Sequence, residues 1–104
     1  MARRVVVTGI GAITPIGNNL NDYWTGLTNG VSGADQITYF NVDNFKTKFA
    51  CEVKNFNPSD FLDRKTSRKL DRFCQYAMVV ADEAILDSNI KTDKIDPIRS
   101  GVIW

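Results

Sequence analysis

Residues 5–17 read VVVTGIGAITPIG, and the choice of fold turns on this stretch. The β-branched run is continuous rather than alternating, which predicts a strand over Arg4–Thr8 buried on both faces. Thr8-Gly9-Ile10-Gly11 then closes the strand in a glycine-rich turn, as a phosphate-binding loop would. A dinucleotide fingerprint needs G-x-G-x-x-G, its third glycine letting the following helix pack closely on the strand. Here the third place is Thr14, Pro15 follows it, and Gly17 comes too late. The fingerprint also expects a second strand ending in an acid, and no apolar strand precedes Asp35. The glycines are therefore expected to let the backbone turn tightly on leaving a buried strand, not to hold a nucleotide.

Downstream, Leu20, Tyr23, Trp24 and Leu27 form one stripe of a short helix, with Asn19 as N-cap, Asp22 in the first turn and Asn29-Gly30 as the stop. Residues 31–44 are irregular. In FKTKFACEV, Phe45, Thr47, Phe49, Cys51 and Val53 alternate with more polar positions, which predicts a half-buried edge strand. Asn57-Pro58-Ser59-Asp60 starts a helical pattern that runs to Asp87-Ser88-Asn89, with Asn89 as a left-handed exit and a break expected near Thr66-Ser67. A polar connector over Lys91–Arg99 bends at Asp96-Pro97. Ser100–Trp104 then reads as the start of another strand, so the sequence over 1–104 reads as cut in mid-strand rather than completed.

The totals exclude several function classes. The chain of 104 residues is 43% hydrophobic and 24% charged, the balance of a globular protein. A net charge of +1 gives nucleic-acid binding no general support. The apolar run after MARR stops after three valines, too short for a signal peptide or a membrane span. There is no histidine, and neither Cys51 nor Cys74 belongs to a CxxC pair, so no common zinc site can be assembled. No disulfide framework is suggested, which favours the cytoplasm. Both cysteines fall on apolar stripes, Cys74 with Leu70, Phe73, Ala77, Ala81, Ala84 and Ile85, and read as small core residues rather than nucleophiles.

One local cluster stands out. In DRKTSRKLDRF, residues 63–73, lie Arg64, Lys65, Arg68, Lys69 and Arg72, with only Asp63 and Asp71 to offset them. On a helix these cations gather opposite Leu70, Phe73 and Ala77. A solubilising face usually mixes signs into i, i+4 pairs. Exposed ion pairs contribute roughly 0.2–1 kcal/mol each, whereas a micromolar complex needs about 8 kcal/mol. The patch thus suits fast, weak docking of an acidic protein.

Taken together, RRVVVTGIGAITPIGN, Trp24 with Gly30 and Ser32-Gly33, KFACEVKNF, and DRKTSRKLDRFCQYAMVVADEAI resemble the N-terminal end of the β-ketoacyl-[acyl-carrier-protein] synthases, most closely the synthase II type of elongating condensing enzyme. The resemblance covers essentially the whole chain. It implies an α/β fragment of a thiolase-like αβαβα layered fold, in which the glycine-rich turn belongs to the first strand and holds no nucleotide.

It also implies a function. Enzymes of this family run a decarboxylating Claisen condensation, passing an acyl chain to a cysteine and joining it to malonyl-acyl-carrier protein, with two histidines and no metal or organic cofactor. They are homodimers. Lys65, Arg68 and Lys69 match the family's basic positions for binding acyl carrier protein, with Arg64 and Arg72 as outer contributors. The nucleophile and both histidines are expected downstream, so this chain alone is expected to be inactive. A stand-alone module whose basic helix binds an acidic protein is the alternative.

Overall fold

Three asparagines and two aspartates punctuate the helices. The computed structural model describes residues 2–103. Helix α1 spans Leu20–Thr28, and the Asn19 side chain accepts from the Asp22 amide at its start, as its sequence predicts. Asn57 likewise caps a 3-10 turn over Pro58–Asp60. Asp63 begins α2, Arg64–Lys69, and Asp71 begins α3, Arg72–Ser88. Asn89 leaves α3 in the left-handed conformation (φ 54°, ψ 29°), the predicted exit.

The helical break is real but lies elsewhere than Thr66-Ser67, which sit inside α2. The pattern is interrupted twice, over residues 61–63 between the 3-10 turn and α2, and at Leu70-Asp71, where Leu70 is extended (φ −103°, ψ 137°). Asp63 and Asp71 each precede an arginine and each opens a helix. The Thr66 hydroxyl donates back to the Asp63 carboxylate, so Thr66 supports the cap instead of interrupting the helix.

Strand content is small. β1, Asp35–Gln36, pairs antiparallel with β2, Phe49–Ala50, in the register Asp35↔Ala50 and Gln36↔Phe49. The edge strand expected over residues 45–53 is therefore reduced to two residues, and Cys51 is exposed rather than in a core. Arg4–Thr8 forms no ladder, and Val5 is 91% exposed. Ser100–Ile103 forms none either, and Trp104 lies outside the described residues. The cause is common to these segments: a strand is stable only where another strand takes its N–H and C=O groups, and among the described residues no long partner is in reach.

Burial follows the same logic. Among the described residues only Gly26, Gln75 and Val79 are buried. The radius of gyration is 17.4 Å, against about 13 Å for an ordinary domain of this length. The apolar stripe expected to face the core is left open: Phe73 is 63% exposed, and Ala81 and Ile85 are exposed too. Cys74 is half-buried. Instead, α3 packs through the flank carrying Gln75, Val79 and Glu83, because the glycine segment lies across that side.

An aromatic cluster fixes the approach to α2. Phe61 stacks on Phe56 at 5.8 Å between ring centroids, and Phe56 meets Tyr76 of α3 edge-on at 4.9 Å. Burial pushes the Tyr76 phenol upward, with the Tyr39 hydroxyl adding to the shift. The Arg72 guanidinium stands 6.0 Å from both the Tyr39 and Phe56 ring centroids.

Candidate functional site

Two places were open to a functional reading, the glycine segment and the basic helix. In the glycine segment the structure gives the glycines a task different from a tight turn. Neither Gly9 nor Gly11 has a positive φ. A Cβ added at Gly9 would stand 2.2 Å from Ala84 O, and one at Gly11 2.2 Å from Val80 O. Both oxygens belong to the backbone of α3. The two glycines let an irregular segment lie directly on a helix, which any side chain would prevent.

Two amides of that segment point at carboxylates of α3. Ile10 N donates to Asp87 Oδ2 at 2.9 Å, and Ala12 N donates to Glu83 Oε2 at 2.8 Å. The other Glu83 oxygen accepts from the first amide of α1, Leu20 N, at 2.8 Å. One carboxylate thus ties the glycine segment and the N-terminus of α1 to α3, where a negative charge also suits the helix dipole. A cleft of about 570 Å³ opens beside it, and Asp60, Asp82, Glu83 and Asp87 are among its lining. A phosphate placed here would meet carboxylates where a nucleotide site offers free amides.

Four of the five cations keep the grouping that the sequence suggested. Arg64, Lys65, Arg68 and Lys69 line one shallow depression, because positions i, i+1, i+4 and i+5 share a side of a helix. All four are exposed. Among the described residues the ion pair found is Lys54–Asp35 at 3.5 Å, so none of the four cations is paired there. Arg72 is separated from them by the Leu70-Asp71 break and sits on the aromatic cluster instead. Arg64 thus shares the depression with Lys65, Arg68 and Lys69, and Arg72 does not line it.

Asp63, the acid that opens α2, is occupied. Its carboxylate accepts from Lys65 N at 2.9 Å and Thr66 N at 3.0 Å, as well as from the Thr66 hydroxyl. The hydrogen bonds from Thr66 hold its pKa below the ordinary value. A carboxylate engaged in this way does not reach over to neutralise the cations.

A residue that the sequence reading passed over is Gln75. It sits on the buried side of α3, 8% exposed, and its Nε2 donates to Ser67 O at 2.8 Å and Leu70 O at 3.3 Å.

Comparison with known proteins places these features. The profile described as "Beta-ketoacyl synthase, N-terminal domain" matches residues 2–104. The chain belongs to the β-ketoacyl synthase family. The 3-oxoacyl-[acyl-carrier-protein] synthase 2 of Synechocystis sp. is 45% identical over 101 residues, covering 97% of this chain and 24% of that protein. The enzyme of the same name from Staphylococcus aureus (strain COL) is 42% identical over 100 residues, 96% of this chain and 24% of its own length. The chain therefore spans about a quarter of the length of the curated relatives it matches.

Solved ketosynthases agree. The ishigamide ketosynthase/chain length factor superposes with a TM-score of 0.80 at 38% identity, over 89% of this chain and 23% of that one. A chain of a type II PKS acyl-carrier protein in complex with its ketosynthase superposes with a TM-score of 0.68 at 26% identity, over 93% and 25%. The fold is that of the N-terminal piece of these thiolase-like ketosynthases, mixed helix and strand as expected. Among the described residues no helix is long and apolar enough to cross a membrane, and no group of three or more metal-ligating side chains comes together.

Proposed function

We propose that this chain is the N-terminal part of the N-terminal domain of a fatty-acid elongating β-ketoacyl-[acyl-carrier-protein] synthase of type II, and that α2 is part of its docking surface for acyl carrier protein. The observation that carries the docking assignment is the set of unpaired cations on one side of α2, with Lys65, Arg68 and Lys69 at its centre and Arg64 beside them. Solved-structure likeness to a ketosynthase in complex with its acyl-carrier protein supports the same reading.

The chemistry proposed for the whole protein is a decarboxylating condensation. The acyl chain first passes from its carrier to a cysteine of the enzyme, releasing the carrier thiol. The carbanion that malonyl-carrier forms on losing carbon dioxide then attacks that cysteine thioester at its carbonyl, and the cysteine thiolate leaves. This chain holds no histidine. It supplies scaffold and docking charge, while nucleophile and histidines belong to the rest of the enzyme. A homodimer working in the cytoplasm completes the proposal.

Exposed charges act here as a steering field, screened beyond about 8 Å at physiological salt. Reversing two of them removes attraction and adds repulsion, so Lys65→Glu with Lys69→Glu raises the apparent KM for acyl-carrier substrates about tenfold at low salt. The turnover at saturation stays within about twofold, as when binding common to ground and transition state is lost. A wild-type KM at low ionic strength in that double variant rules the docking assignment out.

A further inference from the structure

Helix α2 has six residues, too few to hold itself together in water. Its last carbonyls have no intrahelical donor, and the chain turns extended at Leu70. Asp63 closes the first end. The last end is closed from another helix, by the Gln75 amide bonded to Ser67 O and Leu70 O. Both partners are carbonyl oxygens, so only the NH2 end of the amide can face them, and its two hydrogens match two acceptors. Gln75 is the buried polar side chain among the described residues, and a buried amide is costly unless partnered in this way. Arg68 and Lys69 occupy the last turn of α2, between the two carbonyls that Gln75 holds.

We propose that Gln75 is a positioning residue for carrier-protein recognition: from α3 it clasps the C-terminal end of α2 and so keeps Arg68 and Lys69 in the array an acidic partner meets. The inference rests on the docking role proposed for α2. Gln75 need not touch the partner. It removes the ordering that the partner would otherwise have to impose, and if the ordered end were populated only about a tenth of the time, apparent affinity would fall about tenfold.

The test uses the whole protein that carries this chain. Gln75→Met keeps the length of the side chain and deletes both donors, while Gln75→Asn stays polar but is one methylene too short to reach both carbonyls. Steady-state kinetics are measured with an acyl-carrier substrate and with the same acyl group on pantetheine, and hydrogen exchange is followed over residues 63–71 and 76–88. Both variants raise KM for the carrier substrate, Gln75→Met by about tenfold, with kcat and the pantetheine KM within about twofold of wild type. Exchange quickens in α2 and not in α3.

Equal changes with both substrates, or unchanged exchange in α2, overturn the inference. Should Gln75→Met not fold, Gln75→Asn is judged by the same criteria. Lys65→Glu with Lys69→Glu is run alongside. If that charge reversal raises the carrier KM and neither Gln75 variant does, the clasp alone is refuted. If the charge reversal has no effect, the docking role falls and takes this inference with it.

Discussion

Gly11→Ala tests why the opening segment carries glycines. The added methyl carbon would stand 2.2 Å from Val80 O, where ordinary contact begins at 3.4 Å. A helix carbonyl in mid-α3 cannot swing away without breaking its own hydrogen bond, so the segment must move by about 1.2 Å. The same movement carries the Ala12 amide from 2.8 Å to about 4 Å from Glu83 Oε2, outside hydrogen-bond range. Overpacking costs about 1–3 kcal/mol, and a hydrogen bond to a charged acceptor contributes about 1.5–3 kcal/mol. The backbone adopts whichever compromise is cheaper, so the expected loss is about 2–3 kcal/mol.

Native-state hydrogen exchange reads this locally. The Ala12 amide should exchange about 30- to 150-fold faster. Gly30 is the contrast, since it has φ +66° and nothing within 4 Å of an added Cβ. Its requirement is conformational, so Asn, which tolerates the left-handed region, should be better than Ala there. At Gly11 the order should reverse, because the larger side chain meets the same oxygen. Finding Asn better than Ala at both positions would refute the contact explanation.

Two further outcomes follow from the surroundings of the basic helix. Asp63 has a pKa below its ordinary 3.8, so its cap is fully present above that value and is lost only as pH falls through the lower folded one. The amide resonances of Lys65 and Thr66 in a deuterated sample should therefore stay flat from pH 8 to 5 and titrate below 3.8, and a midpoint above it contradicts the cap. Arg72→Gln removes a cation from two aromatic rings and should destabilise the protein by about 1 kcal/mol in urea unfolding, with no change in KM for the carrier. A rise in that KM would return Arg72 to the docking surface.

Features that depend on neighbouring residues were legible in the sequence. Asn19, Asn57 and Asn89 act within one helical turn, and each sits where its residue type predicts. The crowding of Arg64, Lys65, Arg68 and Lys69 on one side of a helix follows from spacing alone. The strands at Arg4–Thr8 and Phe45–Val53 were overread, because β-branched residues and alternation describe suitability for a sheet and not the presence of a partner strand. The part played by Gly9 and Gly11 was hidden for a related reason. Their neighbours Ala84 and Val80 lie about seventy residues further along the chain, so the glycines advertised a constraint without naming it. Gln75 escaped notice because its partners are backbone carbonyls, which no sequence pattern displays.

That last property has an evolutionary side. Every residue type presents the same carbonyl oxygen, so the grip on α2 from Gln75 does not depend on which side chains α2 carries. Substitutions at positions 64, 65, 68 and 69 can alter the charge shown to a partner while the anchor beneath stays intact. The segment from Asp63 to Leu70 is in this sense an exchangeable cassette. Related synthases could tune their choice of carrier there, and a designer could graft another enzyme's preference by replacing eight residues (63–70) and leaving α3 alone.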